Sequence, residues 1–362
     1  MNRIRIFVFC LHCLCLALEA QTVVSYERPQ QKELRKSVDV VLNKTSCLDA
    51  DMSGRLDAMG VIQRDINNFT CDQWKEYNAL MDADEISSWE KEGTLYFYRK
   101  AMDKVLKELR RTKIRHGQVV LWNLYNMGYI VKTPSQTFAV DLVHKHIEDF
   151  APYLDFALIT HKHKDHGSQR EFEAYAAAGL KVYAGYVPSS MPQDLSWTYV
   201  EDGDFFSVGN VTVRAKRVDH YYHGEGLKMV TSYEIDCGDD TGNAVVFHVG
   251  DSCNYAQLES EAPVDIFIFH TAVKLDIQRA LDKIRPMWAV FSHAWELGHS
   301  VEKYRWTIDD LVIRSGKVEG FPVERILLPC WGEKLTYTKD TGIRSGNPRR
   351  PSGQPHQNRR QL

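Results

Sequence analysis

The sequence predicts an α/β fold in which two groups of short strands follow a helical N-terminal region. From Glu27 to Arg115 the chain is rich in charged residues, with apolar residues at helical spacing. From Gly117 onward, short β-rich runs separated by turn residues take over, and helical segments interrupt them. The chain has 362 residues, 44% of them hydrophobic, which is ample for a packed core. We therefore expect a helical extension over residues 21–116 and an α/β domain over residues 117–340.

Residues 1–20 have the three-part pattern of a secretory signal peptide. Arg3 and Arg5 supply a basic start, Ile6 to Leu18 is almost wholly apolar, and Ala20 offers a small residue before a cleavage point. The alternatives are a transmembrane anchor, for which the apolar run is short, and a buried element of the mature fold. We expect an exported protein, periplasmic or extracellular, with no stable membrane insertion after cleavage.

Five cysteines lie beyond this segment. Cys47 and Cys71 are both in the polar N-terminal region and could form a disulfide in an oxidising compartment, but their spacing leaves the bridged and the free state open. Cys237, Cys253 and Cys330 lie beside apolar segments, which favours buried thiols.

The charge pattern argues against a polyanionic partner. A formal charge of −3 is close to neutral for this length, so we expect no nucleic-acid-binding surface. The tail over residues 341–362 consists of Pro, Gly, Gln, Asn and Arg with hardly an apolar residue. We expect this tail to be disordered, with a basic binding arm as the alternative.

The best helical segment of the extension runs from Ile86 to Ile114. Leu95, Met102 and Leu109 belong to its apolar face, and a break or a start is expected near Gly93. The extension could act as a lid or partner-binding cap, but simple packing on the main domain is the favoured interpretation, because an aromatic stripe is usually core.

The remaining elements alternate between strands and helices. A helix-like stretch is expected at residues 144–150, and a helix is expected from Gln169 to Gly179, where glycine is a natural stop. The expected strands are Gln118–Asn123, Gly128–Lys132, Thr137–Leu142, Leu154–Ile159, Lys181–Ala184, Phe205–Val208, Val211–Val218, Thr231–Asp236, Ala244–His248, Val264–Phe269 and Met287–Ser292.

Three histidines and an aspartate follow one of these strands within six positions. They are His161, His163, Asp165 and His166. Because residues i and i+2 of an extended stretch point to the same side, His161 and His163 can converge on one cation, and the other two can reach a second point after the chain turns. Neutral imidazoles and a carboxylate suit zinc, and iron or manganese are also suitable on chemical grounds.

Further candidate ligands stand at the ends of other apolar runs. His220 follows the expected strand Val211–Val218, with His223 as its competitor. Asp251 follows a glycine at a strand end, where the glycine permits close approach of the backbone, although an ordinary turn also suits that sequence. His293 follows the strand Met287–Ser292. His248, inside its strand, is expected to be a packed core histidine.

The His-x-His-x-Asp-His run resembles the signature of the metallo-β-lactamase superfamily, and the later motifs extend the resemblance over Gly117 to Tyr337. The resemblance implies a four-layer αβ/βα sandwich and two Zn²⁺ ions. It places His161, His163 and His220 on one metal, Asp165, His166 and His293 on the other, and Asp251 between them. The early Asn-x-Gly-Tyr-Ile-Val strand, followed by Asp141, is most similar to the UlaG-like hydrolases. The helical extension departs from that pattern, as do Lys162 and Lys164.

The chemistry that follows from this resemblance is hydrolysis. Two cations about 3.5–4 Å apart share a hydroxide that can attack an ester, lactone, amide or phosphoester. Asp251 would bridge the cations, and Asp165 could orient the nucleophile or shuttle a proton. No Gly-x-Ser-x-Gly elbow offers another nucleophile. An iron-dependent redox enzyme and a non-catalytic metal-containing binding protein are the alternatives.

Loop residues beside the ligands are candidates for a pocket wall, with lysines favouring a small anionic substrate. The alternative is that they are solvated or packed loop residues. They are Lys162, Lys164, Tyr221, His223, His270, Trp295, Glu296 and His299.

Overall fold

A computed structural model of the protein describes residues 30–186, 197–222 and 225–345. The expected signal peptide, His223 and most of the C-terminal tail lie outside these ranges. Across them, the structure contains no helix with the length and apolarity that a membrane span requires.

Two β-sheets form the centre of the molecule. Within the described ranges, one sheet has eight strands in the order β15-β14-β1-β2-β3-β4-β5-β6, and the other has seven in the order β13-β12-β11-β10-β9-β8-β7. The strands are β1 Gln118–Tyr125, β2 Gly128–Lys132, β3 Thr137–Val140, β4 Phe156–Ile159, β5 Lys181–Ala184, β6 Thr198–Tyr199, β7 Phe205–Val208, β8 Val211–Tyr222, β9 Glu225–Asp236, β10 Val245–His248, β11 Ile266–His270, β12 Trp288–Ser292, β13 Ile326–Leu327, β14 Lys334–Thr338 and β15 Gly342–Ser345.

Helices cover the outer faces of both sheets. They are α1 at residues 30–44, ending in the π-helical turn Val40–Lys44, α2 Ser53–Asn68, α3 Cys71–Ala79, α4 Ala83–Trp89, α5 Gly93–Arg111, α6 Ile147–Phe150, α7 Gln169–Ala177, α8 Ile277–Ile284 and α9 Ile308–Ser315. The expected helix over Ile86 to Ile114 is therefore two helices, and the second begins at Gly93.

Alternation along β1 shows how the layers form. Val119 and Leu121 pack into the core between the two sheets, whereas Val120 and Trp122 pack outward against α5 and α7. The outer face of the second sheet packs against α8 and α9. A strand buried on both faces reads as a continuous apolar run, which is how β1 appears in the sequence. The predicted αβ/βα sandwich is confirmed.

The helical extension packs tightly onto this sandwich. Helix α5 lies against the outer face of the first sheet, and Phe97 on its opposite side stacks on Trp331 at a ring-centroid distance of 5.1 Å. Arg55 of α2 forms a buried ion pair of 2.6 Å with Glu333. These buried contacts make the extension part of the packed structure.

Two further sequence expectations differ from the structure, and one question that the sequence left open is answered. Strand β8 does not end at Val218 but continues through a bulge to Tyr222, because it pairs with β9 in a long two-stranded arm. Residues 342–345 are not disordered: they pair with β14, and Ile343 enters the core between the sheets. Cys47 and Cys71 are both free thiols, so they form no disulfide, and Cys47 is buried.

Candidate metal centre

The candidate ligands converge because their strands end at the same place. Strands β3, β4 and β5 run parallel in the first sheet, and β10, β11 and β12 run parallel in the second. The carboxyl ends of parallel strands open onto one edge, which is where α/β folds bind ligands. Asp141 follows β3, the cluster at 161–166 follows β4, Asp251 follows β10, and His293 follows β12. His220 joins them from the β8–β9 arm, where it bridges to Ser252.

The first group consists of His161, His163, His220 and Asp251. Their ligand atoms all lie within 4.8 Å of one another. His161 Nε2 is 3.1 Å from His163 Nδ1, and Asp251 Oδ2 is 3.9 Å from His161 Nε2 and 3.5 Å from His220 Nε2. Four donors from three separate segments thus surround one point.

The second group consists of Asp165, His166 and His293, and Asp251 again lies beside it. Asp165 Oδ2 is 3.1 Å from His293 Nε2 and 3.5 Å from His166 Nε2. Asp251 Oδ1 is 3.2 Å from His166 Nε2, and its Oδ2 is 4.0 Å from His293 Nε2. The two oxygens of Asp251 therefore face both groups, as a bridging carboxylate must.

The atoms of the centre fit a metal better than they fit one another. His166 Nε2, His220 Nε2 and Asp251 Oδ1 are buried and have no hydrogen-bond partner among the described residues. An unsatisfied buried polar atom costs about 1–3 kcal/mol, and one cation in each group would together satisfy all three. Tetrahedral zinc with ligand bonds near 2.1 Å separates its ligand atoms by about 3.4 Å. The observed separations between candidate ligand atoms range from 3.1 to 4.0 Å, and this range includes that value.

Asp141 sets the ring orientation of two candidate ligands at once. His166 Nδ1 lies 2.8 Å from Asp141 Oδ2, so it donates its proton there and leaves the Nε2 lone pair for the centre. Thr160 Oγ1 also donates to Asp141 Oδ2 at 2.7 Å and lies 3.0 Å from His161 Nδ1. The Thr160 hydroxyl has one proton and donates it to Asp141, so its oxygen must accept from His161 Nδ1–H. His161 Nε2 is then unprotonated and can bind a cation.

His220 reaches the same state through the backbone. Its Nδ1 lies 2.8 Å from the carbonyl oxygen of Tyr221, so Nδ1 carries the proton and Nε2 is unprotonated. In all three rings, those of His161, His166 and His220, Nε2 is thus the nitrogen that faces the centre.

Unusual backbone conformations place several of these residues. Asp141 and His293 have φ values of 48° and 73°, in the left-handed region that most residues avoid. Gly250, at φ 50°, brings Asp251 against β4: a Cβ there would lie 2.7 Å from Thr160 Oγ1. The expectation that this glycine permits close backbone approach is confirmed.

Burial and mutual contact put most of these groups in the metal-binding protonation state. Burial, reinforced by the neighbouring His220, lowers the pKa of His163 to about 4. Burial also lowers the pKa of His161 well below its usual value. Burial raises the pKa of Asp251, but the neighbouring His166 outweighs it and holds that pKa well below the usual range. Neutral imidazoles and ionised carboxylates are the forms that bind metal.

His166 is the exception. Burial lowers its pKa, but the carboxylates of Asp251, Asp165 and Asp141 outweigh that effect and raise the pKa well above its usual value. A cation at this site would therefore replace a proton.

The expected pocket residues lie in different surroundings. Lys162 and Lys164 are exposed, and Tyr221 lies under the Lys274 ammonium, 3.5 Å from its ring centroid. Glu296 is buried, with Oε2 2.6 Å from His299 Nδ1, and both belong to a group with Asp165 within 4.8 Å. His270 lies beside Asp251 and His293.

Trp295 does not line the centre. It is buried, its indole N–H donates to Gln63 of α2, and its ring packs edge-on against Phe97. The residue after a ligand loop was expected to face the pocket, but the left-handed conformation of Trp295, at φ 64°, turns it toward the extension. His248 is a core histidine as expected: it is buried, and its Nε2 donates to the Met127 carbonyl at 3.0 Å.

Sequence reasoning missed three residues that support the centre. Asp141 entered only as the aspartate that follows the Asn-x-Gly-Tyr-Ile-Val strand, and Thr160 was not singled out. Asn126 entered only as the first residue of the Asn-x-Gly-Tyr-Ile-Val motif, but its Nδ2 donates to Asp165 Oδ2 at 3.0 Å. A carboxylate directly after a buried strand could have marked Asp141, and the Asn-x-Gly-Tyr-Ile-Val motif could have marked Asn126.

Comparison with solved structures finds folds of the metallo-β-lactamase type at low identity. A metallo-hydrolase from the archaeon Ignicoccus hospitalis is 16% identical, with 61% of this chain and 98% of that chain covered and a TM-score of 0.45. The metallo-β-lactamase-fold protein YhfI from Bacillus subtilis is 12% identical, with coverages of 60% and 98% and a TM-score of 0.43. The diiron β-hydroxylase CmlA from Streptomyces venezuelae is 16% identical, with coverages of 63% and 55% and a TM-score of 0.46. No family model and no curated protein matches the chain.

Proposed function

We propose that this protein is a metal-dependent hydrolase that cleaves an ester, lactone, amide or phosphoester, with two Zn²⁺ ions as its cofactors. The observation that carries the proposal is the convergence of His161, His163, His220, Asp251 and His293 from separate segments. Three atoms of this group, His220 Nε2, Asp251 Oδ1 and His293 Nδ1, are buried without a hydrogen-bond partner among the described residues. A purely structural cluster would pair these atoms with one another or with the backbone.

His161, His163 and His220 would hold one cation, Asp165, His166 and His293 the other, and Asp251 would contact both. When bound, the cations would lower the pKa of water from about 15.7 towards 7 and polarise the bond under attack. Asp165 is held by Asn126 Nδ2 at 3.0 Å, which fixes the carboxylate that would orient the attacking water or take its proton.

Metal content and turnover in matched variants test this proposal. His163→Ala and Asp251→Ala should lose bound metal and hydrolytic activity together, because each removes a donor from a group of three or four. His116→Ala, at an exposed histidine outside the centre, is the control and should keep both. Full metal stoichiometry in the His163 and Asp251 variants would refute the assignment.

An iron-dependent redox enzyme is the second candidate, because imidazole and carboxylate donors also suit iron. Elemental analysis of protein produced without added zinc separates the two. Hydrolysis by the zinc form across a panel of esters and phosphoesters supports the first candidate. Dioxygen consumption by an iron form, with no hydrolysis by either form, supports the second.

The proposed substrate is a small anion. Lys162 and Lys164 are exposed on the loop that carries four candidate ligands, and they support this proposal through their charge. The double variant Lys162→Ala/Lys164→Ala should raise KM for anionic substrates and leave KM for neutral esters unchanged. Equal effects on both classes would contradict it.

Export is also proposed, on the signal-peptide pattern of residues 1–20. N-terminal sequencing of the mature protein should begin at Gln21. A mature protein that begins at residue 1 would contradict export by this signal.

A further inference from the structure

His270 lies against the candidate metal centre but is not one of the seven candidate ligands. It is the last residue of β11, the strand beside β12, and its ring stacks on His293 with centroids 3.7 Å apart and planes 11° apart. One of its ring nitrogens lies within 4.8 Å of an Asp251 oxygen and a His293 nitrogen. By proximity alone, His270 would be a further metal ligand.

The proton of His270 excludes that role. The backbone N–H of Ala272 donates to His270 Nδ1 at 3.0 Å. A nitrogen that accepts a hydrogen bond carries no proton, so the ring is neutral and its proton is on Nε2. Neither nitrogen can then bind a cation, because the Nδ1 lone pair is occupied by Ala272 and Nε2 is protonated.

The candidate ligands show the opposite arrangement. His166 Nδ1 faces the Asp141 carboxylate and His220 Nδ1 faces the Tyr221 carbonyl, so in both rings Nδ1 carries a proton and Nε2 is the nitrogen beside Asp251. Two kinds of histidine thus lie at the carboxyl ends of these strands: candidate ligands that turn Nε2 toward the centre, and His270, which carries its proton on Nε2.

His248 shows what a structural histidine with the His270 arrangement looks like. Its Nδ1 accepts from the Gly250 N–H at 3.3 Å, and its Nε2 donates to the carbonyl oxygen of Met127 at 3.0 Å, so both nitrogens are satisfied. His270 Nδ1 likewise accepts a backbone N–H, that of Ala272. Within residues 30–186, 197–222 and 225–345, however, His270 Nε2 makes no hydrogen bond. Its N–H is therefore not committed to an acceptor among these residues.

We propose that His270 donates a hydrogen bond from Nε2–H to the substrate oxygen that gains negative charge during hydrolysis. The proposal rests on the proposed hydrolase function. His270 keeps its proton throughout, and its ring is held in place by Ala272 and by the stack on His293. A fixed donor aimed at developing charge stabilises the transition state more than the bound substrate, so it acts on kcat.

Two substitutions separate a donor from a ligand. His270→Phe keeps an aromatic ring to stack on His293 but removes both nitrogens, and His270→Gln keeps an N–H donor. Both variants should bind as much zinc as the unmodified protein. His293→Phe, the same change at a candidate ligand, should lose zinc. Loss of zinc in His270→Phe would overturn the proposal.

Kinetics give the second readout. Removal of one oxyanion donor lowers kcat by about 10²–10³-fold, so His270→Phe should show that loss with little change in KM. His270→Gln should recover part of it. An unchanged kcat in His270→Phe, with normal turnover by the unmodified protein, would overturn the donor role alone. If the unmodified zinc protein hydrolyses nothing, the proposed function fails and the donor role fails with it.

The tautomer can be observed without turnover. In ¹⁵N-histidine-labelled protein, long-range proton–nitrogen spectra should show His270 with a protonated Nε2 and an unprotonated Nδ1, both before and after zinc is added. A zinc-induced shift that marks either His270 nitrogen as a ligand would overturn the proposal.

Discussion

At the scale of single residues, a small number of hydrogen bonds decides which nitrogen atoms the histidines offer. Asp141 accepts from His166 directly and from His161 through Thr160, so one carboxylate controls two candidate ligands. Such supporting partners orient a ligand and raise its basicity. This support can be tested separately from the ligands.

Asp141→Asn should lower zinc affinity by about 10–100-fold while the protein stays folded. Asparagine tolerates the positive φ of this position, but its amide has one acceptor oxygen. It therefore cannot accept from the Thr160 N–H and also from Thr160 Oγ1 and His166 Nδ1, as the two carboxylate oxygens do. Zinc titration measures the effect. Asp155→Asn is the control, because Asp155 lies directly before β4 and also accepts a backbone N–H, that of Thr137. This variant should leave the affinity unchanged. Equal affinities in both variants would contradict the role of Asp141.

Gly250→Ala should reduce both stability and zinc binding. The new Cβ would lie 2.7 Å from Thr160 Oγ1 and 2.9 Å from Thr160 Cβ, so Thr160 must move away from His161 and Asp141. Gly242→Ala is a matched control, since Gly242 also has a positive φ, of 72°, but nothing lies within 4 Å of the added Cβ. Gly242→Ala should lower the free energy of unfolding only by the backbone strain, about 1–2 kcal/mol, and should still bind zinc. Thermal unfolding and zinc titration distinguish the clash from the strain.

At the scale of elements, each short segment after a strand is held by a local device. Helix α7 follows the ligand cluster and begins with a capping box, in which Ser168 and Glu171 bond each other's backbone N–H groups. Glu171 is buried, and burial raises its pKa to about 7. Because the Glu171 side chain takes part in the capping box and its pKa is raised, the stability of α7 should depend on pH.

The sign of that dependence follows from counting protons. Between the ordinary glutamate pKa of 4.5 and about 7, the folded state retains a proton that the unfolded state has lost, so the free energy of unfolding falls as pH rises through this window. Glu171→Gln keeps the cap and removes the ionisation. Relative to the unmodified protein, the variant should gain stability from pH 5 to pH 8, by up to about 3 kcal/mol. Denaturant unfolding at several pH values measures it, and a pH-independent difference would contradict the prediction.

At the scale of the whole molecule, the helical extension and the sandwich share one core. The buried pair Arg55–Glu333 joins α2 to the segment before β14, and Gln63 Oε1 accepts from Trp295 Nε1 and from the Ile308 N–H. Arg305 donates to the carbonyl oxygens of Ile66 and Phe69 at the end of α2. These bonds fix the segment that follows His293, so the extension supports the centre from behind.

Arg55→Met should therefore destabilise the entire protein in a single transition. Removing one partner of a buried ion pair leaves an unpaired charge, at a cost of about 3–5 kcal/mol. The matched control is Arg64→Met in the same helix, because Arg64 pairs with Glu33 across 3.7 Å at the exposed surface. The control should cost about 1 kcal/mol or less. Two separate unfolding transitions, with only one of them shifted by Arg55→Met, would show that the extension folds on its own.

Much of this structure could be predicted from the local sequence. The strands β2, β5 and β7 lie where the alternation and turn residues place them, and the histidine cluster after β4 was expected at a strand end. Apolar periodicity and turn chemistry act between near neighbours, so they can be read from one segment at a time. The continuation of β8 to Tyr222 was missed, because it depends on pairing with β9 rather than on the residues of β8 itself.

By itself, the sequence determined the α/β class, the order of the elements and the residue types able to bind a metal, because each depends on local spacing. Only the tertiary structure decided which atoms those residues present. The pairing of Asp141 with Thr160 and His166, the donation of Ala272 to His270 and the turn of Trp295 toward Gln63 all depend on side-chain and backbone positions that spacing does not specify. A hydrogen bond depends on distances of tenths of an ångström, which arise only when the strand ends pack against one another.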